Sequence, residues 1–171
     1  MKVRNMALCG LFAALFAVCG WIAVPFGDIA FTLQTFAVFL CLGLMGGKWG
    51  CVSNFVYLLM GAVGLPVFTG FQGGFGILFG ATGGYLLGFL AAGLVYWGIT
   101  AAYPKASLLG MGAGLVACYA IGTLWFWGVY LGGSAMGFWA AAVKCVAPYV
   151  LPDGVKLILA YLLTRRLQKY V

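Results

Sequence analysis

The chain has 171 residues, of which 65% are hydrophobic and only 6% are charged, and its mean hydropathy is +1.14. This composition lies far outside the range of water-soluble domains and predicts an integral membrane protein. There is no histidine, and the only acidic residues are Asp28 and Asp153. The sequence therefore argues against a zinc enzyme or a catalytic carboxylate pair, and we expect no metal site.

The basic residues determine topology rather than nucleic-acid binding. A net charge of +7 would indicate a nucleic-acid partner in a soluble protein, but here the nine basic residues stand at the ends of apolar runs. We therefore expect membrane lipid, and no nucleic acid, around this chain. The six cysteines lie in apolar stretches without C-x-x-C spacing, so we interpret them as small buried hydrophobic residues.

The first half of the chain contains three apolar segments. Residues 6–24 carry no charge and are long enough to cross about 30 Å of hydrocarbon as helix 1. Residues 29–46 form helix 2, and a shorter helix 3 runs from residue 49 to about residue 63, after a Gly-Lys turn. A glycine-rich connector follows over residues 64–84.

The second half contributes three more segments. Helix 4 is predicted over residues 84–102 and helix 5 over residues 106–131. The last segment, residues 137–167, is too long for one straight crossing, and its Pro148 and Pro152 each remove a helical hydrogen bond. We expect a break in the last helix near these prolines. Together the six segments predict an all-α membrane protein with six transmembrane helices in a single domain over residues 1–171.

Charge asymmetry predicts the orientation of this arrangement. With six crossings, seven basic residues fall on one face of the membrane, and the other three connectors contain no Lys or Arg. The positive-inside rule then places both termini in the cytoplasm of the cell membrane and the glycine-rich connector outside. The seven residues are Lys2, Arg4, Lys48, Lys105, Arg165, Arg166 and Lys169.

The glycine-rich connector is neither polar nor charged, so it should not lie free in water. We expect it to pack over the helix ends as a lid, with backbone N–H groups available to a ligand. The equally weighted alternative is a structural turn that only lets helices pack closely. Its Gly-Gly pairs match neither dinucleotide-binding nor phosphate-loop motifs, so the chain does not hydrolyse ATP itself.

Asp153 and Lys156 stand in an otherwise apolar segment and mark the expected functional site. Placing either residue type at the centre of a membrane helix costs roughly 2.5–3.5 kcal/mol, so such residues usually face a cavity, a substrate path or each other. Gln34 in helix 2 is a polar candidate near the outer surface, with an interhelical hydrogen bond as the alternative. Lys144 is a weaker candidate for binding than Lys156, since its long side chain can reach the membrane–water interface without binding a ligand.

Helix 1 carries small residues at fourfold spacing. Cys9, Ala13 and Ala17 form this pattern, with Gly10 and Ala14 beside them. Such small-xxx-small faces let another helix approach closely. That helix can belong to this fold or to another subunit, and periodicity alone favours internal packing.

Four motifs resemble the BioY family, the biotin-capturing substrate-binding (S) components of energy-coupling-factor (ECF) transporters. They are Thr32-Leu-Gln-Thr35, Tyr57-Leu-Leu-Met-Gly-Ala-Val-Gly-Leu-Pro-Val-Phe68, Phe79-Gly-Ala-Thr-Gly-Gly-Tyr-Leu-Leu-Gly-Phe89 and Pro152-Asp-Gly-Val-Lys156. Two departures occur, at Ala81 and at Ala30-Phe31, where such sequences commonly have proline. Both affect turn geometry and leave the D-x-x-K pattern intact.

The resemblance implies a six-helix S-component fold with an outward-facing pocket that the connector closes. It also implies that helix 1, through Ala13 and Ala17, faces a transmembrane coupling subunit, and that two cytoplasmic ATPases drive uptake. The expected function is high-affinity capture of biotin from outside the cell for uptake by these partners. Such a protein is a binding module rather than an enzyme and needs no cofactor.

Biotin has two ureido N–H donors and one carbonyl, an apolar thioether bicycle and a carboxylate tail. We expect Asp153 to accept from the ureido N–H groups, and Lys156 either to hold the carboxylate or only to neutralise Asp153. Aromatic residues should pack the bicycle, and polar groups of the connector should add further contacts. Besides Gln34, the candidates are Phe75, Tyr85, Thr82, Gln72 and Thr69.

Two other functions compete with this reading. A self-sufficient carrier or channel would use Asp153 as a proton or cation site and the glycine-rich segment as a gate, but no internal repeat is evident. An intramembrane enzyme would use Asp153 as a base, and the absence of histidine and of a recognisable nucleophile arrangement disfavours it.

Overall fold

The structure, a computed structural model, describes residues 3–25, 29–132 and 136–169, so that Lys2 and Asp28 lie outside it. The described chain is almost entirely helical. By length and composition, five of its helices are suited to crossing a membrane. In chain order the elements are α1 (Val3–Trp21), β1 (Ala23–Val24), β2 (Phe31–Thr32), α2 (Gln34–Ala62), a 3₁₀ helix (Phe75–Phe79), α3 (Gly83–Ala102), α4 (Ser107–Trp125), its π-helical continuation (Phe126–Tyr130) and α5 (Phe138–Leu167).

Helix α2 folds back on itself at Gly46, whose φ of 75° and ψ of 168° are not helical. The side chains of Gln34 and Tyr57 are hydrogen-bonded, although a straight helix would separate them by about 35 Å. A Cβ on Gly50 would lie 3.2 Å from the Cα of Leu42. The two arms of α2 are therefore antiparallel, and only glycine adopts the required positive φ without strain. The arms correspond to the predicted helices 2 and 3.

Close helix packing holds the rest of the bundle together. Helices α3 and α4 pack along much of their length, and a Cβ on Gly114 would lie 2.9 Å from the carbonyl oxygen of Ala92. Small residues at such crossings let two backbones meet inside a membrane. The core includes fully buried aromatic side chains, among them Phe16, Tyr57 and Phe68, which belong to α1, α2 and the connector.

The glycine-rich connector is attached to the bundle at its start. Phe68 packs edge-on against Tyr57 at a centroid distance of 5.6 Å. The indole N–H of Trp21 at the end of α1 donates to the carbonyl oxygen of Pro66 at 3.0 Å, and its ring stacks on Phe71 at 4.7 Å. The first residues of the connector therefore lie against α1 and α2.

The expected break in the last segment is not confirmed, because α5 is helical from Phe138 to Leu167 with Pro148 and Pro152 inside it. Each proline removes one helical hydrogen bond, at a cost of about 3 kcal/mol in a helix interior. Neighbouring elements can compensate for such losses in membrane proteins. Here buried side chains next to the prolines reach other elements: the Tyr149 hydroxyl donates to the carbonyl oxygen of Ile29, and Asp153 accepts from α4.

The structure buries two small residues of α1 that were expected to face a partner subunit. Ala13 and Ala17 are 1% and 4% exposed and belong to the main core of this chain. They therefore serve internal packing, the alternative that periodicity favoured. The opposite side of α1 is exposed, including Gly10 and Ala14, and a Cβ on Gly10 would meet nothing within 4 Å.

Candidate binding site

A cavity lies between the start of α2, the first half of α3, α4 and α5. Its wall combines apolar side chains, such as Leu86, Phe89 and Leu115, with a small number of polar groups. The polar and charged lining residues include Thr32, Gln34, Thr35, Thr69, Thr82, Tyr85, Tyr119, Tyr149, Asp153 and Lys156.

Asp153 and Lys156 lie one turn apart on the cavity side of α5 and are 6% and 8% exposed. The Lys156 ammonium donates to Oδ1 of Asp153 at 2.8 Å and to the carbonyl oxygen of Thr32 at 2.6 Å. It also lies 3.6 Å from the ring centroid of Phe31. The hydroxyl of Tyr119 donates to Oδ2 of Asp153 at 2.8 Å.

These contacts satisfy both charged groups. Each carboxylate oxygen accepts one hydrogen bond, and the ammonium of Lys156 has an anion, a carbonyl oxygen and an aromatic face around it. A buried pair is tolerated only when such additional contacts offset its desolvation, and it contributes little net stability. Its place in a cavity wall makes the pair a candidate for ligand binding. Lys156 and Asp153 form an ion pair at 2.8 Å, the neutralising contact that the sequence offered as one role of Lys156.

Gln34 is 3% exposed and serves two roles at once. Its Nε2 donates to the carbonyl oxygen of Phe16 at 3.2 Å and to the hydroxyl of Tyr57, which in turn donates to the carbonyl oxygen of Val67 at 3.2 Å. Both amide hydrogens are engaged, so the carbonyl oxygen is the group that Gln34 offers to a ligand. The predicted interhelical hydrogen bond exists, and the residue lines the cavity as well.

Tyr85 and Thr82, two of the candidates from the sequence, also line the cavity. Thr82 directly precedes α3. The hydroxyl of Tyr85 lies 3.4 Å from Oγ1 of Thr123 and 3.5 Å from the carbonyl oxygen of Cys145. The ring of Tyr85 therefore spans from α3 toward α4 and α5 and forms part of the wall.

Two expected site residues, Gln72 and Phe75, do not line the cavity. The backbone N–H of Phe68 donates to the carbonyl oxygen of Gln72 at 2.9 Å, which closes a tight turn through Gly70 and Phe71, both with positive φ. This turn leaves Thr69 on the cavity side and Gln72 exposed. Phe75 is 63% exposed and packs edge-on against Phe79, at a centroid distance of 5.4 Å.

Sequence reasoning missed Tyr119, Tyr149 and Phe31. A tyrosine within an apolar span is a signal, because its hydroxyl needs a partner once it is buried. The partner itself, Asp153 for Tyr119, is 34 residues away along the chain. Lys144 lies on the exposed side of α5, outside the cavity wall. Among the described residues, no three His, Cys, Asp or Glu side chains form a group that could hold a metal ion.

The arrangement of the helices is that of the S components of ECF transporters. It matches a solved S-component for biotin from an ECF-type ABC transporter with a TM-score of 0.88 and 23% identity, covering 99% of this chain and 93% of that chain. It also matches the S component of a bacterial ECF transporter, with a TM-score of 0.66 and 14% identity, over 99% of this chain and 98% of that one. At these identities the likeness establishes the fold.

The sequence establishes the family, because residues 1–171 match the model of the BioY family. A biotin transporter BioY from Thermotoga maritima is 35% identical over 172 residues, covering 98% of this chain and 97% of that protein. A probable biotin transporter BioY from Pyrococcus horikoshii is 36% identical over 168 residues, covering 98% of both. This chain belongs to the BioY family, which confirms the resemblance drawn from its motifs. It is a multi-pass membrane protein of a transporter family.

Proposed function

We propose that this protein is a high-affinity biotin-binding S component that captures biotin from outside the cell for ATP-driven uptake by partner subunits. The observation that carries the proposal is the buried Asp153–Lys156 pair in the wall of the cavity. The S-component fold and the relatives named as biotin transporters support it. The protein then acts as a binding module, without enzymatic activity and without a cofactor.

The chemistry of the cavity suits the polar end of biotin. Asp153 acts as an acceptor, since its two carboxylate oxygens accept from Lys156 and Tyr119 and each has a further lone pair for a ligand donor. The carbonyl oxygen of Gln34 is a second acceptor. Two acceptors in one wall match the two N–H donors of the ureido ring, and a site built to bond N–H groups discriminates strongly against ligands that lack them.

The apolar part of the cavity suits the rest of the ligand. Tyr85 and Phe89 provide aromatic surface for the thioether bicycle, and the hydroxyls of Thr69 and Thr82 are additional polar partners near the connector. Lys156 primarily pairs with and orients Asp153 in this proposal, because its contacts are directed to that carboxylate, to Thr32 and to the Phe31 ring.

The proposed topology counts the two arms of α2 as separate crossings, giving six in all. Two contacts support it. The side chain of Gln168, just after α5, donates to the carbonyl oxygen of Gly43, and Gly47 packs against Trp97 of α3. The Gly46 bend therefore lies next to the end of α5 and against α3. Basic residues then cluster at one end of the bundle, and the positive-inside rule makes that end cytoplasmic in the cell membrane. Both termini are cytoplasmic, and the connector is outside.

The proposed partners are an ECF transmembrane coupling subunit and two cytoplasmic ATPases. The structural relatives, which are S components of ECF transporters, support partners of this class. Since Ala13 and Ala17 are buried, the exposed side of α1 with Gly10 and Ala14 is the better candidate for contact with the coupling subunit. Small residues there permit close approach of a second helix.

Uptake by reconstituted vesicles tests the proposal. Vesicles that contain this protein, the coupling subunit, both ATPases and ATP should accumulate biotin, and the protein alone should only bind it. Omission of ATP is the matched control. Accumulation by the protein alone, driven by an ion gradient, would contradict the proposal and favour a self-sufficient carrier.

A further inference from the structure

The last turns of α5 change from apolar to basic along one side of the helix. Leu159, Leu162 and Leu163 are followed one turn later by Arg165, Arg166 and Lys169. Positions three and four residues apart share a helix face, so these side chains form one continuous stripe. Leu159 and Leu162 are 53% and 55% exposed, and the three basic residues are exposed as well.

This stripe forms one wall of an open groove, and Phe36 of α2 contributes to the other. The groove follows a tightly joined seam, in which Lys156 bonds to Thr32 and the side chain of Gln168 donates to the carbonyl oxygen of Gly43 at 3.1 Å. Its apolar part extends from Leu159 to the arginines, roughly 10 Å along the helix. The groove is therefore a fixed feature between two packed helices.

Among residues 3–25, 29–132 and 136–169, no acidic side chain neutralises the basic end of the groove. The chain's two acidic residues are Asp28 and Asp153, and Asp153 is bonded to Lys156 and Tyr119. Arg165 has the Tyr161 ring beside it at 5.9 Å. The exposed basic side chains of this cluster can therefore bind an anion from another molecule.

We propose that this groove binds an anionic phospholipid. The phosphate accepts hydrogen bonds from Arg165, Arg166 and Lys169, and one acyl chain lies along Leu159, Leu162 and Leu163 against Phe36. Guanidinium groups match phosphate oxygens in charge and in geometry. Basic pockets at the membrane end of helices are known to hold anionic headgroups. In this groove the leucines lie where an acyl chain would run, and the basic residues lie where the headgroup would be.

Native mass spectrometry with added lipid tests the proposal on the full-length protein in detergent. Phosphatidylglycerol should bind more tightly than phosphatidylcholine, with one tight site per chain. Arg165→Gln/Arg166→Gln should weaken that site about 25-fold, at roughly fivefold for each basic side chain near an anionic lipid. The matched control, Arg4→Gln/Lys105→Gln, removes the same charge elsewhere and should leave the site unchanged. Biotin affinity, measured in parallel, should be equal in all three proteins.

A third variant tests the apolar part of the groove. Leu159→Gln/Leu162→Gln keeps all charges and should weaken the binding of phosphatidylglycerol. Glycerol phosphate, which has no acyl chains, should not compete with phosphatidylglycerol for the site. Equal binding of both lipids, equal loss in the control, or competition by glycerol phosphate would overturn the proposal. So would an arginine variant that binds lipid normally but no longer associates with the coupling subunits, because the groove would then be a protein interface.

Discussion

Tyr119 on α4 donates a 2.8 Å hydrogen bond to the carboxylate of Asp153 on α5, and this bond joins the two helices at the wall of the cavity. Lys156 donates to the other carboxylate oxygen. Asp153 is therefore held in one orientation by donors from two helices. A preorganised acceptor of this kind binds a ligand donor without first having to be ordered.

Tyr119→Phe should lower stability by about 1.5–3 kcal/mol, because it removes a hydrogen bond to a charged group and leaves one oxygen of Asp153 without that donor. Thermal unfolding of the purified protein in detergent measures the change. Tyr103→Phe is the control, since Tyr103 is 70% exposed. Equal unfolding temperatures for the two variants would show that the Tyr119 contact does not stabilise the fold.

Lys156→Met should destabilise the protein by about 3–5 kcal/mol, because it leaves the Asp153 carboxylate buried without its cation. Asp153→Asn in the same chain should recover part of that loss, since the remaining group is neutral. A double-mutant cycle on unfolding temperature measures this coupling. Simple additivity of the two losses would mean that the ion pair is not energetically coupled.

The turn at the tip of the connector predicts different roles for Thr69 and Gln72. Thr69→Val should weaken biotin binding roughly three- to tenfold, the equivalent of one neutral hydrogen bond, since Thr69 lines the cavity. Gln72→Leu should leave affinity unchanged, because Gln72 is exposed. Calorimetric titration of both variants compares them, and the reverse order of effects would contradict the placement of the turn.

Bulky substitutions on the two sides of α1 should impair different properties of the protein. Ala13→Trp should prevent stable folding, because it forces an indole into a side of the helix that is 1% exposed. Ala14→Trp should fold and bind biotin normally but should no longer co-purify with the coupling subunit. Size-exclusion profiles and co-purification distinguish these outcomes. Normal assembly of the Ala14 variant would exclude this side of α1 as the contact.

Features set by local spacing were predictable from the sequence. Asp153 and Lys156 are three residues apart on a helix, so their mutual contact follows from helix geometry alone. The reversal between the two arms of α2 was likewise visible in the glycines near residue 46. The apolar segments and the family motifs indicated a helical membrane protein of the BioY family.

Features that depend on tertiary packing were not predictable in the same way. Core and lipid are equally apolar, so the pattern on α1 could not tell the buried Ala13 from the exposed Ala14. The two positive-φ residues Gly70 and Phe71 decide which connector side chains face the cavity, and composition does not encode that turn. The helix across Pro148 and Pro152 depends on contacts with other elements.

Calorimetric titration of ligand-depleted protein with biotin tests the central claim most directly, using the wild type, Asp153→Asn and the control Thr100→Val, whose hydroxyl bonds only within its own helix. We expect saturable one-to-one binding by the wild type and the control, and binding at least tenfold weaker for Asp153→Asn, because a charged acceptor is lost. Unchanged affinity in the folded Asp153→Asn variant would contradict the role of this carboxylate, and no binding by folded wild type would contradict the biotin assignment itself.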